Sequence, residues 1–180
     1  MIGAVSSSDA PSTLPAATSI WRRIPISWIV VALLVFGGSI AGFFVNAGRS
    51  DTGEISKSGD MQAKDLQVGD CFDLKDPAAD QVEDVTAKPC ADAHQYELFF
   101  VGSPTGAEYP SEDKFLAFVD ASCVPAFGDY VGRSYADSEL DIFWLYPQSD
   151  AWSQGDHTVQ CAVYHPRISE LTESLKGAKQ

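Results

Sequence analysis

The chain has 180 residues, 45% of them apolar, and a formal net charge of −13. Of 12 Lys/Arg, Arg22, Arg23 and Arg49 precede residue 50, and of 25 Asp/Glu only Asp9 does, so residues 50–180 carry 9 cations against 24 acids. Such a domain repels phosphate backbones, which argues against nucleic acid as a partner; a solvated surface accounts for the acids, with divalent cations or a basic partner as the other takers.

Residues 1–19 are mostly Ser, Ala, Pro and Thr. They bury too little to offset their ordering entropy, so 1–23 reads as a disordered tail. Residues 24–45 follow without a charge. As a helix they would span about 33 Å, against a hydrocarbon core of about 30 Å. Pro25 falls in the first turn, and Trp21 and Trp28 lie at one end, where interfacial aromatics belong. Arg22 and Arg23 precede the span and only Arg49 follows it, which keeps the N-terminus in the cytoplasm and places the rest outside the cell membrane. A signal peptide cleaved after Ala47 competes, because Val45-Asn46-Ala47 fits the small-x-Ala pattern, but the apolar stretch is longer than such signals use. Gly38 and Gly42, four apart, would let two such helices approach as a homodimer. The polar Gly/Ser/Asp stretch 46–65 reads as a flexible linker.

Residues 66–167 form the expected domain, α+β in class: a small antiparallel sheet with one main helix packed on it. Strands are predicted at 71–74, 82–87, 95–102, 140–146 and 158–164, where apolar residues cluster between Gly and Pro signals. Ser111 is the expected N-cap of the helix, with Glu112 and Asp113 in its first turn and Phe115, Leu116, Val119, Cys123 and Phe127 at helical spacing. Pro125 should end or kink it. Residues 147–156 read as a polar loop, and 168–180 as a tail.

All four cysteines (Cys71, Cys90, Cys123, Cys161) lie beyond the apolar span, with no C-x-x-C, so two structural disulfides are expected rather than a zinc ribbon or redox pair. Four cysteines allow three pairings, and their spacing does not choose. The order of elements favours Cys71 with Cys90, around a strand-loop-strand unit, and Cys123 with Cys161, joining helix to last strand.

Catalytic and metal signatures are weak. His94 and Glu97 are three apart on a predicted strand, where they point to opposite faces. His157 and His165 are eight apart on another, too distant for one ion. There is no G-x-S-x-G and no Gly-rich phosphate loop, so neither a nucleophile nor a cofactor is indicated. Asp70, Asp129, Asp141 and Asp156 are single acids; a paired-carboxylate glycosidase is conceivable, and surface solvation is the plainer account. Trp144, Tyr146 and Trp152 cluster near one loop and offer a stacking surface for a glycan or peptide, unless they simply pack over the sheet.

Several ordered fragments resemble one family. They are Leu66-x-Val68-Gly69-Asp70-Cys71-Phe72; Val85 to Pro89-Cys90 with His94-x-x-Glu97; Tyr109-Pro110; and Cys123-x-x-x-Phe127-x-x-Tyr130-Val131-Gly132. Pro147, Trp152-x-x-Gly155-Asp156, Cys161 and Ser174-Leu175-Lys176-Gly177 complete the set. Together they resemble the septum-formation domain of bacterial membrane and envelope proteins, over about 66–175. An Ala precedes His94 where the family often has Pro, and His157 stands where Arg is common. The resemblance implies a membrane-anchored extracytoplasmic module linked to cell division, without established catalytic residues. The expected function is a non-enzymatic binding or scaffold module whose partner is an envelope or division protein or a cell-wall glycan. A wall hydrolase and an envelope sensor are the alternatives.

Overall fold

The strands and helices follow from where apolar residues alternate and where Gly, Pro and the disulfides interrupt them. The computed structural model of the chain describes residues 46–79 and 81–180. The strands are β1 (Gly48–Arg49), β2 (Ile55–Lys57), β3 (Gly59–Gln62), β4 (Cys71–Leu74), β5 (Asp84–Lys88), β6 (Tyr96–Gly102), β7 (Asp141–Leu145) and β8 (Val159–Tyr164). The helices are α1 (Glu112–Phe118), α2 (Val124–Val131) and α3 (Ser149–Ser153). β1 and β2 form a two-stranded sheet; the others form a six-stranded sheet, order β3-β5-β4-β6-β8-β7, antiparallel throughout. The class is α+β, as expected.

Strand β8 shows why the sheet sits where it does. Val159, Cys161 and Val163 join the core under the helices, while Ala162 joins a smaller cluster with Phe72, Val85, Leu98, Ala63 and Leu66 on the opposite face. A strand buried on both faces loses the polar alternation of a half-exposed one. In β6 a bulge lies between Leu98 and Phe100, so Phe99 and Phe100 both pack on the helix side.

Pro125 does not end the helix. A π-turn, Val119–Cys123, separates α1 from α2, and Pro125 enters at the first turn of α2, where its missing N–H costs little. The run stops at Gly132, whose φ of +80° gives the left-handed cap and whose N–H donates to Gly128 O at 3.0 Å. Phe115, Val119, Cys123, Phe127, Tyr130 and Val131 form the buried stripe.

Both expected disulfides are present, Cys71–Cys90 and Cys123–Cys161. The second joins the π-turn to the middle of β8, with both cysteines fully buried.

The expected boundaries need correction at both ends. Residues 46–65 are not a flexible linker: β3 pairs with β5 along Gly59–Gln62, and Ala63 and Leu66 enter the core. Arg49 makes a two-pronged ion pair with Asp70, which is 3% exposed: Nη1 donates to Oδ1 at 2.8 Å and Nη2 to Oδ2 at 2.5 Å. Residues 168–180 are not a loose tail, since Leu171 and Leu175 are buried in the helix-side core. Within 147–156, expected as a loop, lies α3. His157 and His165 flank β8 rather than share it. The tail 1–23, the span 24–45 and its Gly38 and Gly42 lie outside the described residues, and no helix among the described residues is long and apolar enough to cross a membrane.

Replacing Cys123 and Cys161 together with serine should lower unfolding free energy by about 4 kcal/mol, the chain-entropy value for such a loop. Gly132→Ala should cost about 1 kcal/mol, because the cap requires positive φ. Urea unfolding without reductant measures both.

Candidate functional site

Three elements converge beyond the end of β7. The pleat sends Trp144 and Tyr146 to the helix side and Phe143 and Leu145 to the other. After Pro147 the chain turns through α3, which returns Trp152 towards α1; the Trp152 N–H donates to Gln148 O at 2.9 Å. Phe115 of α1 is the hub, with ring centroids 4.7 Å from Tyr146, 6.1 Å from Trp152 and 6.5 Å from Trp144. Trp144 and Tyr146 stack at 5.0 Å, and Tyr109 meets both Phe115 and Trp152 edge-on, at 5.6 Å and 5.9 Å. Edge-on and offset contacts of this kind add stability beyond the area they bury.

The three aromatics singled out from sequence are thus brought around one ring, in different roles. Trp152 is 3% exposed; it stacks on His157 at 3.9 Å and its indole N–H donates to Ala107 O at 3.2 Å, so it supports the site rather than meeting a ligand. Tyr146 is 41% exposed and Trp144 half-buried. Sequence reasoning missed one exposed member, Tyr109, which lies before α1; Leu116 within α1 is exposed too. Leu116 counted as a core position, and Tyr109 stood in a polar loop, marked only by the Tyr109-Pro110 fragment. The Tyr109 hydroxyl donates to Pro147 O at 3.3 Å, and burial, then the neighbouring Tyr146, raises its pKa.

Along β7 runs a groove of 460 Å³ bordered by residues of both its faces, Trp144 and Tyr146 as well as Phe143 and Leu145. Phe143, Leu145 and Val82 supply apolar wall, and Glu83, Asp150 and Asp156 face a single cation, Lys64. Gln160 closes it, donating to Ala63 O at 3.0 Å. A wider recess of 690 Å³ lies by Arg49, Asp60 and Asp65 at the other edge of the sheet.

Three of the four candidate acids are engaged by local structure. Asp70 holds Arg49 and accepts from the Gln67 N–H at 2.7 Å. Asp141 accepts from the Tyr135 hydroxyl at 2.6 Å and from its neighbour's Ile142 N–H at 2.8 Å; Asp156 accepts from the Thr158 N–H at 3.0 Å; Asp129 is exposed on α2. Glu97, 0% exposed, accepts from the Tyr130 hydroxyl (2.6 Å), the Ser174 hydroxyl (2.5 Å) and the Leu175 N–H (2.5 Å). Burial first, then this carboxylate, pushes the Tyr130 hydroxyl far above the usual phenol range.

Cys71, Cys90 and Glu97 bring their sulfurs and a carboxylate oxygen within 4.8 Å of one another. Both sulfurs are committed to a disulfide and offer no thiolate to an ion. His94 is 1% exposed and bonds through Nδ1 to Asp92 O at 2.8 Å; His165 Nδ1 accepts from the Arg167 and Ile168 N–H groups, closing a turn.

The family model for septum formation matches residues 47–161, well over half of the chain, and the chain belongs to that family. The match begins beside β1, consistent with a fold that starts at the Arg49 anchor rather than at Leu66. No curated protein and no solved structure matches the chain.

Tyr130→Phe should cost about 2 kcal/mol, since it removes a hydrogen bond to a buried charged group. Alkali gives a second test. The Asp141 carboxylate, then burial, pushes Tyr135 up to about 12 from the ordinary 10.0. A raised folded value means the stabilisation is whole below about pH 10 and is lost as pH climbs through the folded value. Urea unfolding followed from pH 9 to pH 12 should show stability falling above pH 10, and Tyr135→Phe should flatten that fall.

Proposed function

We propose that this member of the septum-formation family is a membrane-anchored, non-enzymatic binding or scaffold module that acts in cell division from outside the cytoplasm. The family supports the link to septum formation. The charge-free run 24–45 behind Arg22 and Arg23 supports a single-pass anchor with its N-terminus inside. Two disulfides that leave no free cysteine among the described residues support an oxidising compartment.

The observation that carries the binding reading is the aromatic corner. Tyr146 and Tyr109 stay about two-fifths exposed while Phe115 and Trp152, both nearly buried, hold them in place. Rigid aromatics present contact area at little entropic cost on binding, as at interface hot spots. Asp70, Asp141 and Glu97 are engaged in an ion pair, a tyrosine hydrogen bond and the buried cluster, which favours binding over turnover. An envelope or division protein, or a wall glycan, fits such a surface.

The test is localisation with capture. Full-length protein carrying a reporter that is active only outside the cytoplasm, fused after Gln180, should be active and gather at the division site. Tyr109→Ala with Tyr146→Ala should leave the circular dichroism spectrum and export unchanged while captured partner falls at least tenfold. An inactive reporter, even spread around the cell, or capture untouched by the double substitution would overturn the corresponding part of the reading.

A further inference from the structure

Among the described residues the sheet ends at β7, which pairs there on one side only, with β8. Which backbone groups point away from β8 follows from the ladder. Leu98 exchanges hydrogen bonds with the β4 side, donating to Asp70 O at 2.8 Å and accepting from the Gly69 N–H at 2.7 Å. Glu97 therefore faces β8 and its partner Val163, and Val163 in turn faces away from Ile142 of β7. Ile142 and, two residues on, Trp144 present their N–H and C=O groups outward. The Ile142 N–H is closed by the Asp141 carboxylate at 2.8 Å. No comparable cap meets Trp144 among the described residues.

Proteins usually blunt such an edge with lysine, proline, a bulge or a covering segment. The stretch Ile142-Phe143-Trp144-Leu145-Tyr146 has none of the residue devices and its pairing with β8 is regular. Its two flanks are built differently. The Trp144–Tyr146 stack lies towards the helices; Phe143 and Leu145 point to the other side and wall the groove, which Trp144 and Tyr146 also border. An added strand would drop alternate side chains to each flank.

We infer that the outer edge of β7 takes an extended, basic segment of a partner protein by strand addition, pairing with the backbone of Trp144 and laying cationic side chains along Glu83, Asp150 and Asp156. The inference rests on the binding-module reading and names its partner's chemistry. The charge selects the occupant: three carboxylates against Lys64 in the groove favour a cationic strand, whereas a second copy would set those acids against their own kind on a chain of net charge −13. Asp141 fixes where pairing begins, because it already fills the Ile142 N–H.

The test uses full-length protein and a blocked octapeptide of alternating Lys and Val. Calorimetry should detect binding that weakens at least tenfold when alternate amides are N-methylated in the phase that faces β7, a loss of about 1.4 kcal/mol or more. A Glu/Val counterpart should also bind at least tenfold more weakly. Exchange of the Trp144 amide proton should slow at least tenfold in the complex. Trp144→Pro removes an N–H the ladder does not use and should abolish binding; the N-methyl comparison, made on native protein, stands if that variant misfolds. No binding at millimolar Lys/Val peptide, equal binding of both N-methylated phases, or a chain dimer that Trp144→Pro dissociates would each overturn the inference. Undiminished capture of a division partner by folded Trp144→Pro would overturn the edge and leave the binding-module reading standing.

Discussion

The structure turns on a carboxylate taken out of water with no cation against it among the described residues. Glu97 sits in the middle strand of the sheet at 0% exposure, and its three donors come from α2 and from the segment after β8. Burying a charge costs several kcal/mol even after relaxation, and each hydrogen bond to a charged group returns about 1.5–3 kcal/mol. Three together are of the size needed to offset the cost, and two leave it exposed to a deficit. Sheet, helix and C-terminal segment are thereby made to close on one another, because each is the condition for burying the group on the first.

The same logic separates the inside of the domain from its outside. Acids that meet donors or cations within the fold, Asp70 with Arg49 and Asp141 with Tyr135, brace turns and strand ends. The remaining acids lie on the surface and around the groove, where they set a negative field. Two of the exposed aromatics, Tyr109 and Tyr146, meet the same ring, Phe115, near the end of β7. A negative field steers a cationic partner, and fixed aromatics retain it.

Much of this was legible in the sequence. The five central and later strands, the helix from Ser111 and both disulfide pairs follow from apolar alternation, capping residues and the order of the cysteines. What was hidden was hidden for physical reasons. Strand β3 is a four-residue edge whose only large apolar residue is Met61, so it carries no alternation to read. Arg49, counted from sequence as a charge flanking the apolar span, is in the structure the anchor of the first hairpin through a distant Asp70. Leu171 and Leu175 are isolated in a polar stretch and reveal their burial only through the partners they meet, Leu175 through Glu97 and Leu171 through its exchange with His94. Trp152, left by the sequence between a stacking surface and packing over the sheet, is turned inward beneath Tyr109 by α3. Pro125, expected to end or kink the helix, does not end it: the preceding π-turn hands it a new first turn.

The distance along the chain between Glu97 and its donors sets an order of events during synthesis. Tyr130 follows it by 33 positions, but Ser174 and Leu175 follow by 77 and 78. When β6 has emerged and β8 has not, one of the two strands that neighbour Glu97 and two of its three donors are still missing, and the carboxylate stays hydrated. Both disulfides can form earlier, since Cys161 precedes Ser174. Oxidation therefore constrains an open, still-hydrated intermediate, and the water around Glu97 leaves only when the segment beyond β8 arrives. Loop closure over such a separation is slow compared with local pairing, so the final step of maturation belongs to the stretch that sequence alone reads as a tail.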